Sequence, residues 1–254
     1  MTSADDQYNI LWLNGQPGSG KTTLAFTVAQ RCRASRTLGA NFFCSRSDSD
    51  CSNASLVFTT IAYQLGLFYE PYKDLVAEIL KKDPQLVYSS VSRQFEELIV
   101  QPLTHLRGGF PPCVIVIDAL DECRDPQVTS AVLSTLLKHA EDLSPLRFFV
   151  TSRPERHIIT RFDSPNYRSA SGRLLLHEVP LESVAPDIKK YVTTSLSEVR
   201  LEFGLAESWP DEADIDIVSR LANGSFIFAA TATKFIGDPG YDDPVGQLKT
   251  LTSA

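Results

Sequence analysis

Short apolar runs alternate with longer amphipathic stretches over residues 8–179. Continuous β-branched and aromatic residues between Gly, Pro or polar residues predict strands buried on both faces, whereas apolar residues at three- and four-residue steps predict helices. The predicted strands are 10–13, 39–44, 113–117, 146–151 and 173–179. The predicted helices are one that follows residue 20 and four at about 53–67, 71–82, 90–103 and 127–140. This alternation is typical of an α/β fold with a doubly wound parallel sheet.

The pattern changes after Pro180, where no further strand is predicted. The predicted helices in this part of the chain are about 183–203, 211–222, 225–236 and 245–251. The charge changes at the same place, because residues 1–179 carry a net charge of −1 and residues 180–254 a net charge of −6. We therefore predict a core domain over residues 1–179 and a small helical lid domain over residues 180–254.

Composition and charge narrow the functional classes. The 254 residues are 43% hydrophobic and 22% charged, which is typical of a globular chain and excludes fibrous and disordered ones. The net charge is −7 and no basic stripe is visible, so nucleic acid is not expected as a partner. Five cysteines without a CxxC pair favour a reduced, cytoplasmic protein. No apolar run approaches the ~20 residues of a membrane span, and the polar segment 1–9 does not resemble a signal peptide.

A glycine-rich segment lies between the first predicted strand and the first predicted helix. GQPGSGKT, residues 15–22, matches the phosphate-binding pattern GxxxxGK[ST]. Glycines let the backbone curve around a phosphate, and the amides at the start of the helix then bind the anion. Lys21 is expected to reach the β and γ phosphates and Thr22 to hold Mg²⁺; a chance glycine-rich turn would lack the flanking strand and helix. The predicted nucleotide-binding residues are Gly15, Gln16, Pro17, Gly18, Ser19, Gly20, Lys21, Thr22 and Thr23.

Acidic residues follow the third predicted strand in VIVIDALDEC, residues 114–123. Asp118 stands where this strand ends, at the edge of a parallel sheet where ligands bind, so it is predicted to hold Mg²⁺ together with Thr22. Asp121 and Glu122 are candidates for orienting or deprotonating an attacking water. The alternative is that these two acids cap the following helix or are simply solvated.

An arginine follows the fourth predicted strand in FFVTSRPE, residues 148–155. Arg153 precedes a proline, which favours extended backbone, so its side chain is predicted to project from the strand end toward a γ-phosphate. The alternative is a surface arginine paired with Glu155, and Arg156 is the weaker candidate for the same role. His177 is interpreted as structural. The guanine motif NKxD and the transporter motif LSGGQ are both missing from the chain.

Together these motifs resemble the NACHT domain of the signal-transducing STAND NTPases, above all the fungal NACHT proteins of the NLR-like type. ILWLNGQPGSGKTTLA resembles the first strand and Walker A motif of that family, ANFFCSR its second strand, and VIVIDALDEC its Walker B motif. FFVTSRPE is similar to sensor 1, and GSFIFAATATKFI to a helical segment that follows the NTPase core. Ala119 stands where the family more commonly has Gly.

The resemblance implies a sheet of order 5-1-4-3-2, a helical lid from about residue 180, and ATP or ADP (with GTP or GDP as the second candidate) bound with Mg²⁺. It also implies slow hydrolysis that controls oligomerisation in innate immunity or programmed cell death, with self-association or signalling partners in a full-length context. Many NACHT proteins have a base-contacting Pro in the lid, and no residue here is assigned to it. No winged-helix, repeat or effector domain fits within 254 residues, so an excised domain and a stand-alone member are both open.

Two other functions stay open from the sequence. A bound nucleotide could serve as a structural ligand without meaningful turnover. A small-molecule P-loop kinase is the second alternative, but it needs an arginine-rich lid, whereas residues 180–254 are acidic.

Overall fold

A computed structural model describes residues 8–106, 108–165, 167 and 171–253. The prediction about a signal peptide therefore falls largely outside the described residues. The chain divides into two compact units. The first contains the residues up to Gly15 together with Lys21–Leu174, and the second contains Gln16–Gly20 together with Leu175 onward. None of the helices described is long and apolar enough to cross a membrane.

A five-stranded sheet forms the centre of the first unit. Its strands are β1 (Ile10–Asn14), β2 (Leu38–Phe43), β3 (Cys113–Asp118), β4 (Leu146–Ser152) and β5 (Ser171–Leu175). They are arranged in the order β2-β3-β4-β1-β5, and the pairs β2–β3, β3–β4 and β4–β1 are parallel. The α/β fold and the strand order 5-1-4-3-2 are thereby confirmed. In this register Asp118 lies beside Phe43, and Asn14 beside Ser152, so the strands end along one edge.

Seven helices of the first unit lie within its described residues. They are α1 (Lys21–Ala34), α2 (Val57–Phe68), α3 (Glu70–Lys82), α4 (Val91–Phe95), α5 (Gln101–His105), α6 (Pro126–Lys138) and α7 (Arg156–Phe162). The sequence analysis did not predict α7, because seven residues are too few to show a helical period. Asp125, rather than Asp121 or Glu122, caps α6, since its carboxylate accepts the N–H groups of Gln127 and Val128.

A π-helical turn, Glu96–Val100, joins α4 to α5 inside the stretch that the sequence predicts as one helix over 90–103. Pro102 explains the irregularity, because it has no N–H to donate to the carbonyl of Leu98 four residues earlier. The Tyr72 hydroxyl donates to that carbonyl instead, at 2.6 Å. Tyr72 is fully buried, and burial raises the pKa of its phenol, so the hydroxyl remains a donor.

An aromatic stack connects β1 to α7. Trp12 of β1 stacks on Phe162 of α7 with ring centroids 4.1 Å apart, and its indole N–H donates to the Ser152 hydroxyl at 2.8 Å.

On β2, which ends the sheet, the Gln64 side chain accepts the N–H of Asn41 at 2.9 Å and donates to its carbonyl at 2.8 Å. Gln64 thus supplies the hydrogen bonds that a neighbouring strand would make, which protects an open sheet edge.

The fifth strand is shorter than predicted. The sequence indicates residues 173–179, whereas β5 covers Ser171–Leu175 and a 3₁₀ turn, Leu176–Glu178, follows it. Three consecutive leucines carry no alternation that would mark the end of a strand, so the pattern extends too far. His177 consequently lies in the turn and not in the strand.

Helices make up the second unit apart from the segment Gln16–Gly20 and the connecting turns. They are α8 (Leu181–Glu202), α9 (Glu212–Ala222), α10 (Phe226–Ile236) and α11 (Pro244–Thr252). Side chains of Asp211, Ser225 and Asp243 accept backbone N–H groups at the starts of α9, α10 and α11, as N-cap residues do. A separate apolar core, which includes Ile188, Val192 and Leu196 of α8, holds these helices together.

Candidate functional site

Asp118 ends β3 as a buried carboxylate. The Thr151 hydroxyl on neighbouring β4 donates to its Oδ1 at 2.5 Å, and the Thr22 hydroxyl on α1 also hydrogen-bonds to it. Burial raises the pKa of Asp118, while the hydrogen bonds from Thr151, Thr22 and the Ala119 N–H oppose that rise. A carboxylate and a hydroxyl meet here, and hard oxygen ligands of this kind suit Mg²⁺.

The backbone turns sharply after Asp118. Ala119 has φ +53° and ψ 44°, in the left-handed region, and its N–H donates to the Thr151 hydroxyl at 3.0 Å. A single 3₁₀ turn, Leu120–Glu122, follows, closed by the Glu122 N–H on the Ala119 carbonyl at 2.7 Å. This turn brings Asp121 and Glu122 back toward the sheet edge that carries Asp118.

Lys21, the first residue of α1, is only 9% exposed. Its ammonium donates to the Gly15 carbonyl at 2.7 Å. The pKa of Lys21 lies below its ordinary value chiefly because burial disfavours the charged form; the Asp121 carboxylate opposes this effect and Arg153 reinforces it. The lysine therefore lies within the electrostatic field of the acidic turn.

The buried carboxylate of Asp121 pairs with Arg153, whose side chain is partly exposed. The Arg153 backbone N–H donates to Asp121 Oδ1 at 2.9 Å, and its Nε lies 3.2 Å from Oδ2. The second contact is an ion pair without hydrogen-bond alignment, since Oδ2 accepts no hydrogen bond among the described residues. The Asp121 side chain is 1% exposed, so both of its oxygens are committed to Arg153.

Glu122 is held more loosely and remains 29% exposed. Arg153 Nη2 lies 3.6 Å from its Oε1, and the Arg46 N–H donates to its Oε2 at 3.4 Å. The Arg46 guanidinium donates to the neighbouring Asp121 carbonyl at 3.2 Å. Two arginines from different loops therefore bracket the Glu122 carboxylate while leaving it accessible to water.

Cys44 directly follows β2 and Cys123 directly follows the 3₁₀ turn Leu120–Glu122, and their sulfur atoms are 3.5 Å apart. The Cys44 N–H donates to the Asp118 carbonyl at 3.0 Å. The hydrogen bond between the two thiols lowers the pKa of Cys123, an effect that burial opposes and Thr129 reinforces. The same hydrogen bond, followed by burial, raises the pKa of Cys44.

The glycine-rich segment 16–20 belongs to the second unit, where it contacts α10. Gly18 and Gly20 have φ +76° and +86°, and the Ile227 N–H donates to the Gly18 carbonyl at 3.2 Å. A Cβ on Gly18 would lie 2.2 Å from Ile227 Cγ2, so only glycine fits there. The Ser19 hydroxyl is buried and has no hydrogen-bond partner among the described residues, which is the condition expected of a group that binds a ligand.

The structure groups most of the predicted charged residues in one unit. Lys21, Thr22, Asp118, Asp121, Glu122 and Arg153 all lie in the first unit. Gly15 and Thr23 flank the loop in that unit, whereas Gln16, Pro17, Gly18, Ser19 and Gly20 lie in the second. The Arg153 guanidinium contacts the acids of the turn and not Glu155, and Arg156 begins α7. None of the described His, Cys, Asp and Glu side chains belongs to a group of three or more that could hold a metal ion.

Sequence reasoning missed Arg46 and Thr151. Arg46 follows β2 in FFCSR, a segment that the sequence analysis used only to identify the strand. Thr151 is a polar residue in an otherwise apolar strand, and that single departure was the available signal. Both residues act on the acidic turn through contacts that only the folded chain creates.

Comparisons with known proteins identify the family. A family model described as Nephrocystin 3, N-terminal matches residues 1–153. The chain belongs to this family. It is also 26% identical over 252 residues to the vegetative incompatibility protein HET-E-1 of Podospora anserina, a match that covers 92% of this chain and 17% of that protein. These matches confirm the prediction that the chain contains a domain of the NACHT/STAND type.

Solved structures support the fold. The Aeropyrum pernix Orc1 protein in complex with DNA has a TM-score of 0.51 at 18% identity, covering 96% of this chain and 59% of that one. Drosophila ORC bound to DNA has a TM-score of 0.50 at 13% identity, covering 97% of this chain and 55% of that one. At such identities the likeness concerns the fold alone, and with the family match it shows a P-loop NTPase-like domain.

Proposed function

We propose that this domain binds ATP, with GTP as the second candidate, together with Mg²⁺, and hydrolyses the nucleotide slowly. The observation that carries the proposal is the convergence of Lys21, Asp118 and Glu122, which come from separate segments, at one edge of one unit. A buried lysine whose pKa is shifted in the neighbourhood of several carboxylates is characteristic of functional sites. The free Ser19 hydroxyl and the Gly18 and Gly20 backbone fit a phosphate chain.

Each side chain has a proposed role in this reaction. Lys21 and the amides of residues 15–23 bind the phosphates, and the oxygens of Asp118 and Thr22 would hold Mg²⁺, which neutralises phosphate charge when bound. Glu122 accepts the proton of the attacking water, because its carboxylate is the exposed one of the two acids. Asp121 fixes Arg153, and Arg46 orients Glu122.

Arg153 is proposed to exchange its partner during the cycle. Its ion pair with Glu122 is long, at 3.6 Å, whereas its contacts with Asp121 are short. A terminal phosphate would compete for the guanidinium and release the Glu122 carboxylate toward the water. An arginine placed in this way stabilises charge that develops on the transferred phosphoryl group.

We further propose that the helical segment responds to the nucleotide as a lid, with the domain boundary near residues 179–180. The hydrogen bond from the Ile227 N–H to the Gly18 carbonyl supports the idea, because a phosphate bound by the loop would contact the same backbone that holds the start of α10. Nucleotide-dependent self-association in an immune or cell-death response, in the cytoplasm, is proposed by analogy with the vegetative incompatibility protein. The chain spans less than a fifth of that relative, so partners outside the domain belong to this proposal as well.

Two measurements test the proposal. Mass spectrometry of the supernatant of denatured protein identifies any co-purified nucleotide, and a phosphate-release assay with Mg-ATP and Mg-GTP measures turnover. We expect an adenine nucleotide and slow turnover that is lost in Lys21→Ala. Bound nucleotide without turnover would instead support a structural ligand, and the absence of both nucleotide and binding would refute the proposal.

A further inference from the structure

Two thiols lie side by side at the base of the loops that carry Arg46 and Glu122. Cys44 directly follows β2, Cys123 directly follows the 3₁₀ turn, and their sulfur atoms are 3.5 Å apart. We propose that this pair is a modification site, at which an oxidant of the hydroperoxide class joins Cys44 to Cys123 in a disulfide that slows hydrolysis. The site itself is independent of the proposed function, whereas the effect on hydrolysis rests on it.

The chemistry balances with one equivalent of oxidant. One thiol attacks the peroxide oxygen, so that an S–O bond forms, the O–O bond breaks, and the alcohol or water departs. The second thiol then attacks the sulfur of the resulting sulfenic acid; the S–S bond forms, the S–O bond breaks, and water leaves. The two sulfurs together lose two electrons and two protons, and the peroxide is reduced by the same two electrons.

The fold selects this pair from the five cysteines. Cys32, Cys51 and Cys113 are also free thiols, but Cys44 with Cys123 is the one hydrogen-bonded thiol pair among the described residues. Both side chains are nearly buried, at 6% and 8% exposure, so a sulfenic acid formed there meets the other thiol before a second molecule of peroxide. Cys113 is buried within β3, and no hydrogen bond joins its thiol to another cysteine among the described residues.

Closing the disulfide must move one of the two loops. An S–S bond is about 2.05 Å long, so the sulfurs have to approach by about 1.5 Å from their separation of 3.5 Å. Cys44 is anchored by its N–H on the Asp118 carbonyl at 3.0 Å, whereas the Cys123 N–H makes a longer contact, 3.4 Å, with Leu120. The turn that carries Glu122 therefore moves more easily than the end of β2.

The predicted effect is specific to turnover. Displacing a reacting group by about 1 Å costs about 10²-fold in rate, and Glu122 is the immediate neighbour of Cys123. Lys21 and Thr22 begin α1, which carries neither cysteine of the pair, so nucleotide affinity should change little. Oxidation should thus reduce turnover about 10- to 100-fold at nearly unchanged binding.

The experiment treats the folded, reduced protein with one equivalent of hydrogen peroxide, quenches free thiols with an alkylating agent in denaturant, and maps the peptides. We expect a mass loss of about 2 Da before alkylation, a Cys44–Cys123 linked peptide, and turnover restored by dithiothreitol. Cys44→Ser and Cys123→Ser should lose the crosslink and the peroxide sensitivity. Cys32→Ser and Cys51→Ser serve as matched controls and should retain both.

The outcomes separate the two proposals. Five free thiols after treatment, or a link that uses Cys51, would overturn the modification site whether or not the protein hydrolyses nucleotide. A Cys44–Cys123 crosslink with unchanged turnover would overturn the effect on hydrolysis. A crosslink in a protein that hydrolyses nothing in its reduced form would confirm the site and refute the proposed hydrolysis.

Discussion

Asp121 and Glu122 are neighbours in sequence, yet the structure predicts different costs for neutralising them. An Asn at position 121 keeps an oxygen for the Arg153 N–H but turns its NH₂ group toward the guanidinium Nε, which lies 3.2 Å from Oδ2 in the native pair. Removing one partner of a buried ion pair costs about 3–5 kcal/mol, because the remaining charge is left uncompensated. The Arg153 side chain is 36% exposed, so water recovers part of this, and we expect Asp121→Asn to cost about 1.5–2 kcal/mol.

The matched variant is Glu122→Gln. The Glu122 contacts are long, at 3.4 and 3.6 Å, and its side chain is 29% exposed, so its stability should change by no more than about 0.5 kcal/mol. Its turnover should fall about 10²-fold or more if the carboxylate is the general base.

Thermal unfolding followed by far-UV circular dichroism tests the stability difference, and phosphate release tests the rate. For a domain of this size, 1 kcal/mol corresponds to about 2–4 °C, so Asp121→Asn should melt roughly 3–8 °C below wild type while Glu122→Gln melts with it. Equal binding of Mg-ATP by the two variants is the control for an intact site. An Asp121→Asn protein that melts with wild type, beside a Glu122→Gln protein that turns over normally, would refute the assignment of both acids.

The remaining predictions concern the same sheet edge. Lys21→Ala should lose tight binding of Mg-ATP, measured by isothermal titration, because the buried ammonium is the fixed charge of the loop; binding within threefold of wild type would contradict this. Asp118→Asn should raise the free energy of unfolding of the nucleotide-free protein at pH 7, because the raised pKa of Asp118 means that its ionised form destabilises the folded state. The gain should shrink as the pH falls through that pKa and the native carboxyl becomes protonated. Urea titrations at several pH values measure it, and a gain that stays constant with pH would be contrary evidence. Ala119→Gly should stabilise the domain by about 0.5 kcal/mol in urea unfolding, because removing the strain of an alanine in left-handed backbone outweighs the entropy cost of glycine. The control is Ala131→Gly within α6, which should destabilise the domain by about 1 kcal/mol. Arg46→Ala should lower kcat about tenfold with little change in KM. Arg46→Lys should not restore kcat, because an ammonium lacks the reach and the planar donors of the guanidinium. An effect on KM alone would oppose a positioning role.

The sequence predicts the sheet well because the signals for buried strands are local. CVIVID and LRFFVTS are apolar runs between breakers, and both form strands within one or two residues of the predicted bounds. The parts that the sequence could not predict depend on distant partners. The π-helical turn before Pro102 requires the Tyr72 hydroxyl from another helix, and the orientation of Glu122 requires Arg46 from the loop after β2. No spacing along the chain encodes either contact.

Ala119 has left-handed backbone at a position where the NACHT family more commonly has glycine. The resemblance indicated only that Gly is commoner at this position. The structure shows φ +53° there, a conformation that Gly adopts without strain and Ala does not. The strained residue lies directly between Asp118 and the turn that carries Asp121, where stored strain is characteristic of functional sites.

The glycines of the phosphate-binding loop carry a second requirement that changes how a mutation there should be interpreted. A Cβ at position 18 would lie 2.2 Å from Ile227 Cγ2, and Gly18 has φ +76°, so Gly18→Ala would disturb the start of α10 before any phosphate is present. At position 20 the nearest atom to such a Cβ is in the Phe226 ring, at 3.4 Å, which leaves φ +86° as the main constraint. Loss of nucleotide binding in a glycine variant would therefore combine a backbone effect, a packing effect in the helical unit and the loss of anion contacts. Lys21→Ala removes the proposed phosphate-binding charge and leaves both glycines in place, and it is for this reason the variant that best isolates the contribution of phosphate recognition.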